Sequence, residues 1–157
     1  MKILLPVKPE PFNLPEEFSK LATVVAACDL RPNEKDAFET VCRYIVAQLR
    51  SDGVTPPDMP TNIFFVDGDN ITLQFDPQQL GNYFVGICYP VHRWRAANLT
   101  DRKIMTCMVE EMCHVFWCIR DEAKVNYKVL DVMRVGQPTL DLEDLYPYTR
   151  FRWNLRL

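Results

Sequence analysis

The stretch "LTDRKIMTCMVEEMCHVFWCIRDEAKVNYKVLDVMR", residues 99–134, constrains this chain more than any other. At about 100° per residue, Ile104, Met108, Met112, Val115 and Ile119 fall on one side of a helix, with Met105, Val109 and Phe116 beside them. That side reads as core. Lys103, Glu110, His114, Trp117 and Asp121 fall roughly opposite, with Cys107, Cys118 and Val125 at the margin and Glu111 and Glu122 between the two faces. A solvated face usually carries mobile Lys, Gln and Glu. Two cysteines, a histidine and a tryptophan predict instead that this second face is at least half buried. The run is expected to be helical for at least two thirds of its length, with Thr100 as N-cap and Asp101 complementing the helix dipole.

Upstream, the period changes twice. The N-terminal dozen residues, with prolines in "PVKPEP", read as an extended arm or edge segment. Asn13 can cap a helix, Pro15 suits its first turn, and "EEFSKLATVVAACDL" predicts a helix apolar on more than one face. In "RPNEKDAFETVCRYIVAQLRSDG", Phe38, Val41, Cys42, Ile45, Val46 and Leu49 follow helical spacing, and Gly53 stops the helix. After the rigid connector "VTPPDMPT", the segments "NIFFV" and "ITLQF" flank the turn formers of "DGDN", so residues 62–75 read as a β-hairpin. "YFVGICYPVHRW" is a third strand that Pro90 ends or places at an edge. The expected fold class is α+β: N-terminal helices, a small three-to-four-stranded, mainly antiparallel sheet and one long helix. At 157 residues the chain is expected to form one domain over 1–157, with its core at about 14–134 and a tail at 135–157 that mixes aromatics with arginines.

Composition excludes some roles. The net charge of -3 offers no clustered cationic surface for a phosphate backbone, so nucleic acid is not an expected partner. No stretch approaches the roughly 20 apolar residues of a membrane helix, and the apolar run in "MKILLPVKPEPF" is too short for a signal peptide, so a cytoplasmic protein with no membrane partner is expected. Six cysteines without a CxxC pair, set in apolar stretches, predict reduced core residues.

The chemistry concentrates in Glu110-Glu111-Met112-Cys113-His114. Burying carboxylates with an imidazole costs several kcal/mol unless they are paired, hydrogen-bonded or metal-bound. Glu110 and His114 are four apart, so their side chains meet on successive turns and can share one cation. Glu111 is one step round, where a carboxylate can address a metal-bound water as general base. Asp121 and Glu122 arrive two turns beyond His114, and either can supply a third ligand if the helix bends there. Other readings of the same residues stand beside this one. His114 can donate to Glu110 or Asp121 with no metal, and Glu110 and Glu111 can be helix charges paired with Lys103 or Arg120. Cys107, His114 and Cys118 can form a thiolate and imidazole site. His92 reads as a strand-end or loop residue, with its neighbours Arg93 and Arg95 as candidates for lining a cleft next to the helix.

Glu110-Glu111-Met112-Cys113-His114 resembles the H-E-x-x-H helix of the zincin metallopeptidases, with Glu110 in place of the first histidine. The resemblance extends over roughly residues 34–130, with "YFVGICYPVHRW" as the strand before the loop and "RDEAKVNYKV" as the stretch offering a third ligand. It implies a zincin-like fold in which the long helix is the active-site helix, Glu111 is the catalytic base and His114 is a ligand to Zn2+ or another divalent metal. Glu110, Asp121 and Glu122 complete the candidate metal residues. Two functions follow as expectations. One is a metal-dependent hydrolase of peptide or protein substrates, active or impaired. The other is a non-catalytic interaction module on the same scaffold, whose partner surface includes the tail "YPYTRFRWNLRL".

Overall fold

Residues 14–30 divide between two elements rather than forming one helix. The computed structural model describes residues 2–3, 12–56, 61–68, 73–74 and 85–147. In it, helix α1 covers only Glu16–Leu21, and strand β2 runs over Ala22–Ala26. Thr23, Val24 and Val25 are β-branched and stiff at χ1, so they fit a pleated surface better than a helical turn. Lys2–Ile3 forms a short strand, β1, in the expected N-terminal arm.

The fold is α+β, but its main sheet is parallel. Strand β3, Thr61–Val66, lies between β2 and a later strand, β5, Gly86–Pro90, and pairs parallel with both. The register sets Ala22 against Thr61, Ala26 against Phe65, Asn62 against Gly86 and Val66 against Pro90. The expected hairpin over 62–75 and the mainly antiparallel sheet are therefore corrected. Ile63, Phe64, Phe65 and Val66 are all buried, which is the continuous apolar run of a parallel strand covered on both faces. A hairpin strand with one wet face would alternate. The segment expected to return as its partner supplies β4, Leu73–Gln74, which pairs antiparallel with β1 instead. Residues 69–72 and 75, which hold the rest of that expected hairpin, lie outside the described residues, as do residues 76–84.

Helix α2, Pro32–Asp52, makes the crossover from β2 to β3 and begins and ends as its sequence predicts. Pro32 opens it, Glu34 accepts the Arg31 backbone N–H at 2.8 Å, and Gly53 closes it in the left-handed conformation with φ 63°. Ala37, Phe38, Val41, Cys42, Ile45, Val46 and Leu49 face the core. Aromatic rings tie the layers together: Phe38 meets Phe65 edge-on at 4.9 Å, Phe65 lies 5.3 Å from Tyr89, and Tyr89 lies 5.6 Å from Trp94. Such pairs each contribute about 0.5–1.5 kcal/mol beyond the area they bury.

Pro90 ends β5 as expected, and the chain turns directly into a short helix, α3, Val91–Ala96, so the third strand is shorter than "YFVGICYPVHRW". The long helix is two helices. Helix α4 covers Asp101–Phe116 and α5 covers Glu122–Arg134, packed against each other and against α2. The break follows from Cys118, whose φ of 53° cannot continue a right-handed helix, and from Asp121, which caps α5 by accepting the Lys124 N–H at 2.8 Å. A last short helix, α6, Leu142–Leu145, docks on α4 and α5 through Leu145, only 2% exposed. The tail from residue 148 onward lies outside the described residues.

This architecture differs from the zincin-like scaffold that the resemblance implies. The strand packed on α4 is β5, a parallel strand, rather than the edge of an antiparallel sheet. Cys42 and Cys113 are buried, but Cys88, on the exposed alternation of β5, and Cys118, in the turn between helices, are exposed. All six cysteines are free thiols. Among the described residues, no helix is long and apolar enough to cross a membrane.

Candidate metal centre

The turn between α4 and α5 builds the site. Glu110 and His114 stand one helical turn apart on α4. The reversal at Cys118 lays α5 back along α4 and brings Glu122, the first residue of α5, over His114. One ligand atom from each of Glu110, His114 and Glu122 lies within 4.8 Å of the other two. His114 Nε2 is 3.8 Å from Glu122 Oε2. Two ligands of a tetrahedral Zn2+ at ~2.1 Å sit roughly 3.4 Å apart, so side-chain rotations of well under an ångström bring this pair to ligand spacing.

The outer contacts favour a cation. His114 Nδ1 lies 2.6 Å from the carbonyl oxygen of Ile119. A carbonyl only accepts, so Nδ1 carries a hydrogen, and Nε2 is the nitrogen turned toward Glu122. A metal-ligating histidine is held in the same way, by a hydrogen bond at its second nitrogen. Tyr146, just beyond α6, donates its hydroxyl to Glu110 Oε2 at 3.3 Å. Burial pushes the Glu110 carboxyl above its ordinary range; the Tyr146 hydrogen bond and His114 oppose this, and the charges of Glu111 and Glu122 add to it. Two carboxyl groups and an imidazole thus converge where Glu110 and His114 are half buried and Glu122 is exposed, and a divalent ion would supply positive charge between them.

Of the residues singled out from the sequence, the fold brings Glu110, His114 and Glu122 together. Asp121 is the cap of α5, with its carboxylate on the Lys124 N–H. Glu111 is exposed, one position round α4 from Glu110 and outside the group of three. The thiolate reading assembles no site among the described residues: Cys118 is exposed with Sγ 3.7 Å from the Val115 carbonyl, and burial pushes the Cys107 and Cys113 thiols up. Arg95 does not line a cleft but forms a bidentate pair with Glu34 at 2.8 and 2.7 Å. Trp117 is held apart from the cluster, donating its indole N–H to Asp52 at 2.8 Å, where Lys128 also binds at 2.9 Å.

The second face of α4 is half buried as its composition predicts, since Lys103, Cys107, Glu110, His114 and Trp117 are all of intermediate exposure. It does not open along the third strand, however. Met108, whose carbonyl accepts the Tyr89 hydroxyl of β5, is about 200° round α4 from Glu110, so the cluster faces away from the sheet. Further toward the N-terminus of α4, a cavity of about 390 Å³ is lined by Thr100, Arg102, Lys103, Thr106, Asp144 and Leu145, between α4 and α6. Sequence reasoning missed Tyr146. The signal available was Asp141 with Asp144 three residues on, a capping pair that announces α6 and so fixes where the next aromatic falls. No protein-family model, no curated protein and no solved structure matches this chain.

Proposed function

We propose that this protein is a metal-dependent hydrolase that binds one divalent cation, Zn2+ or another of similar preference, through Glu110, His114 and Glu122. The observation that carries the reading is the convergence of those three ligand atoms within 4.8 Å, with His114 Nδ1 held by the Ile119 carbonyl and Nε2 left toward Glu122. Three protein ligands leave positions open for water and substrate, the arrangement of catalytic rather than structural zinc. In this reading Glu111, on the exposed side of α4 next to His114, is the general base, and the cavity between α4 and α6 receives part of the substrate beside Arg102 and Lys103. A set with two carboxylates and one imidazole is a weaker Lewis acid than a histidine-rich one, so slow turnover is expected.

The test is elemental analysis of protein purified without chelator, with Glu110→Gln, His114→Ala and Glu122→Gln alongside, followed by peptide and ester hydrolysis assays. One equivalent of metal lost in each variant, and turnover lost in Glu111→Gln with metal retained, is the expected pattern. A wild type that takes up no stoichiometric metal under any divalent supplementation sinks the proposal. The second reading, a non-catalytic interaction module, draws support from the Tyr146 and Ile119 contacts, which satisfy Glu110 and His114 without a metal. It predicts a metal-free protein whose three cluster residues can be replaced with no loss of partner binding.

A further inference from the structure

We infer that Tyr146 is a positioning residue of the metal site: its phenol holds the Glu110 carboxylate through Oε2 and presents the second carboxylate oxygen to the cation. The inference rests on the metal-binding reading above. Glu110 has three rotatable side-chain bonds, and its hydrogen bond comes from Tyr146, outside its own helix; an unanchored carboxylate would lose rotamer entropy on binding a metal. The anchor comes from α6. Leu140 and Leu145 are buried, the Tyr146 N–H donates to the Leu142 carbonyl at 2.9 Å, and Arg134 holds the Leu140 carbonyl at 2.8 Å. The backbone that carries the phenol is therefore fixed on both sides of α6, and the ring itself is half buried against the core.

The same logic repeats at the next ligand. His114 on α4 is oriented by the Ile119 carbonyl from the interhelix turn, and Glu110 on α4 is oriented by the Tyr146 hydroxyl from beyond α6. Each α4 ligand thus takes its direction from a segment outside α4. Hydrogen-bonded outer partners are the rule for ligating histidines and carboxylates, and removing one typically costs 10–100-fold in metal affinity.

The experiment is Co2+ titration of wild type and Tyr146→Phe, read by visible absorption, with thermal melts of both apo proteins. Phenylalanine keeps the ring packing and removes only the hydroxyl. A dissociation constant raised roughly 10–100-fold, an altered Co2+ absorption band and a near-unchanged apo melt are expected. An unchanged constant and band in Tyr146→Phe overturn the inference and leave the metal site standing; a wild type that binds no Co2+ overturns both. A second measurement needs no variant. Zn2+ added to wild type draws charge from Glu110 and weakens its bond to the phenol, so a tyrosine difference spectrum should appear at one equivalent. A flat difference spectrum with stoichiometric Zn2+ bound also overturns the inference.

Discussion

His114 Nδ1 and the carbonyl oxygen of Ile119 lie 2.6 Å apart, a contact that spans the end of α4 and closes the turn into α5. It depends on the backbone between them. Cys118, with φ 53°, is the residue that reverses the chain so that Ile119 faces back toward the helix it has just left. The orientation of the histidine ring and the path of the turn are therefore one structural fact, and a change at either residue reaches the cluster.

The first prediction concerns that reversal. A non-glycine residue in the left-handed region costs about 1–2 kcal/mol, while glycine costs roughly 0.5–1 kcal/mol more backbone entropy on folding. Cys118 is exposed, and its thiol makes only a 3.7 Å contact with the Val115 carbonyl. Cys118→Gly should therefore stabilise the protein by up to about 1 kcal/mol, a rise of a few degrees in thermal midpoint, with metal affinity unchanged. Calorimetry checks this; a lower midpoint would show that the thiol contact outweighs the backbone strain.

The neighbours Asp121 and Glu122 should separate cleanly into a structural and a ligand role. Asp121→Ala removes the cap on α5 and should cost about 1 kcal/mol of stability while leaving metal binding near wild type. Glu122→Gln keeps the helix start and removes a ligand charge, so it should leave the melt of the apo protein nearly unmoved and abolish stoichiometric metal. Paired denaturant melts and Zn2+ titrations read both effects. If Asp121→Ala is the variant that loses metal, the third ligand has been assigned to the wrong carboxylate.

How much of this was legible beforehand depends on whether the determining contact is local. The bounds of α2 could be read because Pro32 and Gly53 act within one turn of themselves. The identity of Glu110 and His114 as partners could be read because helical spacing alone brings them together. The parallel sheet could not, since "NIFFV" is compatible with a hairpin or a buried parallel strand, and only the covering of both faces of β3 decides. Likewise the choice of Glu122 over Asp121 turns on one left-handed residue, Cys118, of a type that rarely adopts that conformation. Tyr146 was missed for a third reason: Asp141 and Asp144 announce α6, but Tyr146 reaches Glu110 across 36 positions of chain, and no local signal marks that destination.

Away from the cluster, the Arg95 and Glu34 pair should dominate the acid limb of stability. Glu34 has a side chain only 2% exposed, and Arg95 is 22% exposed. Burial alone would raise the Glu34 carboxyl, but the Arg95 hydrogen bonds and the Arg31 N–H outweigh it and hold the group below its ordinary value of 4.5. A depressed folded value means that the stabilisation is complete above about pH 4.5 and is lost as the pH falls through the lower, folded value. Arg95→Ala strands a buried carboxylate and should cost about 3 kcal/mol at neutral pH. The loss should shrink as acid protonates Glu34, and Glu34→Gln in the same background should recover part of it. Denaturant midpoints across the acid range measure this, and a loss independent of pH would mean that Arg95 acts through packing or through its 2.7 Å bond to the Asp29 carbonyl.

Glu110 carries the opposite sign and so gives the sharpest separation of function from stability. Its folded carboxyl is raised above the ordinary 4.5, chiefly by burial. A raised carboxyl favours the fold while protonated, and that contribution is lost as the pH rises through the folded value. Ionised Glu110 therefore weighs against the metal-free protein at neutral pH. Glu110→Gln keeps the size of the side chain and an oxygen for the Tyr146 hydroxyl, so the apo variant should melt above apo wild type at neutral pH and converge with it in acid. Saturating Zn2+ should reverse the order, because a ligand at about 100 times its dissociation constant stabilises the wild type by about 2.7 kcal/mol and the variant has lost the site. Melts with and without Zn2+ at two pH values test every part of this. A variant less stable than wild type in the absence of metal would show that the Glu110 charge is compensated within the protein, as the non-catalytic reading requires.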